Sequence, residues 1–102
     1  MKILLVCSGG MSTSIVVKAV EKKAAELKED VYVEAVSTTQ FEEKVKDFDV
    51  ALIAPQVRHR KQYFDEIASK HHVPTGVIEP QAYGPFGGEK IIRQAKEILK
   101  GV

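Results

Sequence analysis

Four short apolar segments rich in β-branched residues recur along the chain: Ile3–Val6, Val31–Val36, Val50–Ala54 and Thr75–Ile78. The stretches between them show helical spacing instead. From Ile15 onward, Val16, Val20, Ala24 and Leu27 fall on one helical face, with Lys18, Glu21, Lys22 and Lys28 elsewhere. A shorter helix is expected over Phe41–Val45. A third runs from Arg58 to His72, with Tyr63, Phe64, Ile67 and His71 near helical spacing. His71 and His72 fall at its end, where a cation suits the helix dipole. The last helix, Gly87–Lys100, aligns Ile91, Ile92, Ala95, Ile98 and Leu99 in one stripe, and Gly101 marks its stop.

Strand and helix thus alternate throughout, which predicts right-handed βαβ units and an α/β fold with a parallel sheet covered on both faces. The first and third segments are nearly continuous apolar runs, as central strands buried on both sides require. The second, VYVEAV, carries Glu34 and reads as an edge strand. With 102 residues and no linker or repeat, one domain spanning 1–102 is expected.

Composition removes several classes of function. Hydrophobic residues are 44% and charged residues 28% of the chain, so it is neither disordered nor membrane-embedded by composition. A net charge of +1 gives no electrostatic case for a nucleic-acid partner. No apolar run approaches a membrane span and no signal peptide is read at the start. The single cysteine cannot form an internal disulfide, and a thiol suits a reducing, cytoplasmic compartment.

That cysteine, Cys7, stands where the first strand gives way to a glycine- and hydroxyl-rich turn: Ser8, Gly9, Gly10, Met11, Ser12, Thr13, Ser14. In open α/β sheets ligands bind beyond the carboxyl ends of strands, where the strand order reverses. Gly9 and Gly10 permit close approach of backbone to an anion, and Ser12, Thr13 and Ser14 can cap the following helix and add donors. Backbone N–H groups and the positive helix end favour thiolate over thiol and a phosphate over either. The alternative is a small buried residue ending a strand. A plain turn, however, needs neither two glycines nor so many donors.

The loop is not a nucleotide P-loop, which places Gly-Lys-Ser/Thr after its glycines, and it lacks G-x-G-x-x-G. Cysteine-dependent phosphatases use Cys, five residues, then Arg; here that position is Thr13. None of the four prolines follows Asp, so the Asp-Pro acid of the low-molecular-weight class is missing too. Without a guanidinium for the transition state, hydrolysis should be slow. A phosphocysteine that resists water but yields to a positioned acceptor is what a phosphoryl carrier requires.

In KILLVCSGGMSTSIVVKAV, in ALIAPQVRHR (Ala51–Arg60) and in Tyr83-Gly84 before a final helix, the chain resembles the lactose/cellobiose/chitobiose-type IIB component of the bacterial phosphoenolpyruvate-dependent sugar phosphotransferase system. The resemblance covers essentially the whole chain. It implies a three-layer αβα sandwich with a four-stranded parallel sheet in the order 2-1-3-4 and a phosphate-binding loop after the first strand. It also implies a reaction: phosphohistidine on a IIA protein passes its phosphoryl group to Cys7, and the membrane IIC permease directs it to a sugar. Ser8 through Ser14 match the phosphate loop residue by residue. Neither cofactor nor metal is expected, and the short ends suggest a separate chain rather than a fused domain. The competing readings are a phosphatase or arsenate reductase of the same topology and a non-catalytic regulatory IIB-like domain.

Three further residues are candidates for accessory or partner contacts. Gln56, after the third strand, reads either as a contact to the loop or a partner, or as part of a turn fixed by Pro55. Tyr83, after the fourth, either brings its hydroxyl toward the phosphate or packs with a wet tip. Arg58 opens the densest basic run, Arg58-His59-Arg60-Lys61, which either attracts an anionic partner or is a solvated helix start. His71 and His72 lack the spacing of a metal site.

Overall fold

The structure, a computed structural model, describes residues 1–7 and 12–101. Strands β1 (Lys2–Cys7), β2 (Tyr32–Ser37), β3 (Val50–Ile53) and β4 (Thr75–Val77) alternate with helices α1 (Ser12–Glu26), α2 (Phe41–Val45), α3 (Lys61–Ser69) and α4 (Gly88–Lys100). Two 3-10 turns, Pro55–Arg60 and Pro80–Ala82, follow β3 and β4. All pairings are parallel and the order is β2-β1-β3-β4, as the resemblance implied. The register sets Val6 opposite Val36 on one side and Ile53 on the other, and Cys7 opposite Ser37.

The period of two along the strands divides the core into two layers. Leu4, Val6, Val36, Ala51 and Ile53 meet Phe41, Val45, Phe64, Ile67 and Ala68 from α2 and α3. Ile3, Leu5, Val33, Val50 and Leu52 meet Val16, Val20, Ala24, Ile91, Ile92 and Ala95 from α1 and α4. Residues 3–6 of β1 and all of β3 are at most 1% exposed, the double burial their unbroken apolar runs predicted. Phe41 and Phe64 stack tilted at 4.9 Å in the first layer, a pair contributing about 0.5–1.5 kcal/mol beyond its area.

Both sheet edges are managed by side chains. On β4, Gln94 Nε2 of α4 donates to the Val77 carbonyl at 2.8 Å, while Thr75 donates its hydroxyl to Asp65 of α3, whose other oxygen meets Lys61 Nζ at 2.6 Å. On β2, the exposed Tyr32 donates to Glu34 at 2.8 Å, and Glu34 also pairs with Lys44 at 3.5 Å. Charged and hydrogen-bonded edges of this kind resist pairing with other chains.

Three expectations are corrected. Leu27 is 44% exposed because α1 ends at Glu26 and Lys28 adopts φ 56°, turning the chain away. The stretch from Arg58 to His72 is not one helix. Pro55 starts a 3-10 turn, Val57 breaks it at φ −120°, ψ 20° to bury its side chain, and α3 begins only at Lys61. Its buried stripe is Phe64, Ile67 and Ala68, whereas Tyr63 is 44% exposed. His71 and His72 lie beyond the end of α3 at Ser69, not in its last turn. His72 takes φ 58° and Val73 N–H returns to the Ala68 carbonyl at 3.0 Å, a left-handed closure usually given to glycine.

The segment entering α4 is packed backbone on backbone. A Cβ on Gly88 would sit 2.4 Å from the Ala19 carbonyl oxygen of α1, and one on Gly87 only 1.7 Å from that of Ala82. By contrast, nothing lies within 4 Å of a Cβ on Gly84. Gly87→Ala is therefore expected to destabilise the chain by at least about 2 kcal/mol in urea unfolding, while Gly84→Ala stays within about 0.5 kcal/mol. Equal effects would contradict the packing described.

The hydrogen bond to Glu34, followed by that carboxylate's charge, holds the Tyr32 phenol above its ordinary value of 10.0. A raised folded-state value means the stabilisation is fully present below the unfolded value and lost as pH rises through the folded one. In Glu34→Gln, the phenolate absorbance of Tyr32 should therefore appear at lower pH than in the parent chain; an unchanged titration would remove Glu34 as the cause.

Candidate functional site

Cys7 closes β1, the strand from which the order reverses toward β2 on one side and β3 on the other. It is 6% exposed, at the upper margin of the layer containing Leu4, Val6, Val36 and Ala54. Its sulfur lies 3.9 Å from the Val36 carbonyl oxygen, in the geometry of a weak S–H donor. Ser8, Gly9, Gly10 and Met11 lie outside the described residues, as do the side chains of Ser12 and Thr13. Ser14 is exposed in the first turn of α1.

The opposite flank is built by the turn after β3. Ala54 N–H donates to the Val6 carbonyl at 2.9 Å, so Pro55 begins its turn level with Cys7. Pro55 opens the 3-10 turn with its preset φ and missing donor, and Val57 drops into the core at 4% exposure. With Val57 as the root, Gln56, Arg58 and His59 are exposed.

The basic run is divided by these constraints. Arg60 lays its guanidinium over Tyr63 at 4.6 Å and over Phe64 at 5.7 Å, and Lys61 pairs with Asp65. Both are thus engaged with their own helix. Arg58 and His59 instead face a cleft of about 550 Å³ completed by Pro55, Gln56, Pro80 and Tyr83. The turns after β3 and β4 form its two sides, at the same end of the sheet as Cys7.

Tyr83 follows the 3-10 turn Pro80–Ala82, its N–H donating to the Pro80 carbonyl at 3.2 Å. Half-buried, it packs against both core layers, so it joins them across the sheet's end while also lining the cleft. The structure therefore brings Gln56, Arg58 and Tyr83 together. The sequence reading did not single out Phe86, which is 97% exposed three residues beyond Tyr83. An aromatic between Pro85 and Gly87, in a turn too short to bury it, was the available signal.

Among the described residues, no group of three His, Cys, Asp or Glu side chains is placed to hold a metal ion, and no helix is long and apolar enough to cross a membrane.

Residues 2–94 match the family model for the lactose/cellobiose-specific IIB subunit of the phosphotransferase system. The oligo-beta-mannoside-specific EIIB component of Bacillus subtilis (strain 168) is 34% identical over 98 residues, covering 96% of this chain and 95% of that protein. The galactose-specific EIIB component of Lactococcus lactis subsp. cremoris is 34% identical and the cellobiose-specific one of Lactococcus lactis subsp. lactis 33%, each over 102 residues, covering 95% of this chain and 94% of theirs. Among solved structures, a cellobiose-specific IIB protein from Borrelia burgdorferi superposes with a TM-score of 0.80 at 39% identity, covering 99% of this chain and 93% of that one. The lactose-specific IIB domain from Streptococcus pneumoniae gives 0.81 at 16% identity over 93% and 96%, a likeness of fold alone. A match of this extent to the family model and to relatives a third identical along nearly their whole length means that the chain belongs to the lactose/cellobiose-specific IIB subunits of the sugar phosphotransferase system, which are phosphotransferases.

Proposed function

We propose that Cys7 is the covalent phosphoryl carrier of a IIB domain spanning residues 1–102, and that Ser8, Gly9, Gly10, Met11, Ser12, Thr13 and Ser14 hold the phosphate. The observation that carries this reading is the position of the one cysteine. It ends a doubly buried strand at the point where strand order reverses, followed at once by a glycine- and hydroxyl-rich segment leading into a helix.

The chemistry is two displacements in line. The Cys7 sulfur, having lost its proton to solvent or to the departing ring, attacks the phosphorus of a phosphohistidine on the IIA donor. An S–P bond forms as the N–P bond breaks, and the imidazole nitrogen keeps the bonding pair. A sugar hydroxyl oxygen held by the IIC permease then attacks the same phosphorus. The O–P bond forms, the S–P bond breaks, the hydroxyl proton passes to a base and the thiolate is restored. The segment from Cys7 to Ser14 contains no Lys or Arg. The charge stabilisation that speeds attack by water in phosphatases is thus missing from it, which suits an intermediate that must survive until its acceptor arrives.

The sugar is a β-linked disaccharide such as cellobiose, chitobiose or lactose, chosen by the permease rather than by this chain. Relatives of nearly equal identity carry oligo-beta-mannoside, galactose and cellobiose in their names, which supports a common carrier serving different permeases. The working location is the cytoplasm, at the inner face of that permease.

Incubation with phosphorylated IIA is expected to add the mass of one phosphate to the chain, and Cys7→Ser should show no such stable, transferable adduct. Turnover of p-nitrophenyl phosphate should be negligible. A wild-type chain that stays folded but unmodified, or an equal gain in Cys7→Ser, would overturn the carrier assignment; brisk hydrolysis would favour a phosphatase.

A further inference from the structure

Charge is distributed unevenly among the grooves of this molecule. The groove along β4 and α4 sets Glu79 and Glu97 against Lys90 and Arg93, and the one at the amino end of the sheet sets Glu34 and Asp47 against Lys2 and Lys44. In the cleft beside the Cys7 edge, the basic side chains are Arg58 and His59, the phenol of Tyr83 is the other titratable group, and among the described residues no carboxylate lines it. Both are exposed, whereas Arg60 and Lys61 are held by aromatic rings and by Asp65. Just beyond Tyr83, the turn closed by Gly87 N–H to the Gly84 carbonyl at 3.3 Å, and backed onto the Ala82 carbonyl, presents Phe86 almost wholly to solvent. Arginine and exposed aromatic residues are the side-chain types enriched at binding hot spots, and here both are carried by turns that follow the carboxyl ends of β3 and β4.

We propose that the Arg58–His59 cleft and Phe86 form one docking surface for the phosphorylated donor protein, with Arg58 steering the phosphoryl group and Phe86 anchoring the complex. The proposal rests on the carrier reading above, and the argument for this occupant is charge. An incoming phosphoryl group brings about two negative charges, yet residues 7–14 offer no cationic side chain to attract it. The cleft supplies positive charge at the same end of the sheet, outside the loop, where it can speed encounter without lowering the barrier to hydrolysis at the sulfur. The sugar acceptor is neutral and gives no reason for an all-basic cleft.

Binding is measured on the Cys7→Ser background, where transfer does not occur, using purified phosphorylated lactose/cellobiose-type IIA as probe. Failure of wild-type Cys7 to accept phosphate would therefore be read separately from failure to dock. Arg58→Glu should lower the association rate constant about tenfold at low salt and flatten its salt dependence. Phe86→Ala, with nothing buried to lose, should raise the dissociation constant about tenfold while leaving the salt slope unchanged. Lys46→Glu, the same charge change at an exposed position beyond α2, should stay within about twofold. The proposal is overturned if Arg58→Glu and Lys46→Glu behave alike, if Phe86→Ala binds as the parent does, or if no complex forms with folded protein. It is equally overturned if donor binding is unaffected and only sugar phosphorylation by permease-containing vesicles slows, which would assign the surface to the permease.

Discussion

β1 is hydrogen-bonded on both edges and buried on both faces, and every feature of the candidate site takes its position from that fact. Its register against β2 places Cys7 opposite Ser37 with the sulfur near the Val36 carbonyl. Its register against β3 brings Ala54 N–H onto the Val6 carbonyl and starts the Pro55 turn at the same height. A slip of one residue would exchange the two core layers, moving Leu4 and Val6 to the side of α1 and α4. Burial of both layers excludes that slip, so the Cys7 sulfur is held in register by apolar packing.

The two 3-10 turns repeat one device. In each, a proline begins the turn two or three residues past the end of a strand, and one side chain is rooted in the core: Val57 after β3, Ala82 after β4. With Val57 rooted, Gln56, Arg58 and His59 are exposed, and they share a cleft with the half-buried Tyr83, which follows the turn rooted by Ala82.

Much of this was legible in the amino-acid pattern. Strand order of hydrophobicity separated β1 and β3, buried on both faces, from the edge strand β2 with its Glu34, and Phe41–Val45 was recovered to the residue. The position of Cys7 at a strand end, the glycines after it and the missing arginine at Thr13 are properties of the chain itself. The errors share a cause. Periodicity continued α1 to Leu27, joined Arg58–Arg60 to α3 and carried α3 on to His72, because apolar spacing carries no information about where a left-handed residue ends a helix or a 3-10 turn gives way to one. The same blindness put Tyr63 inside, when Arg60 covers its ring at the surface.

What local sequence determined, then, is the alternation of elements and the chemistry available at residue 7, since both follow from short-range spacing and residue type. Tertiary structure decided which cations of the basic run line the cleft at the end of the sheet. Arg58 and Arg60 are two residues apart and chemically identical. Arg60 lays its guanidinium on two rings of the adjoining α3, whereas Arg58 lines the cleft with Pro80 and Tyr83, so one is a brace and the other a wall of the cleft. The rings under Arg60 stand three and four positions along the chain, but the far wall of Arg58's cleft, Pro80 and Tyr83, is more than twenty positions away, and no local pattern contains it.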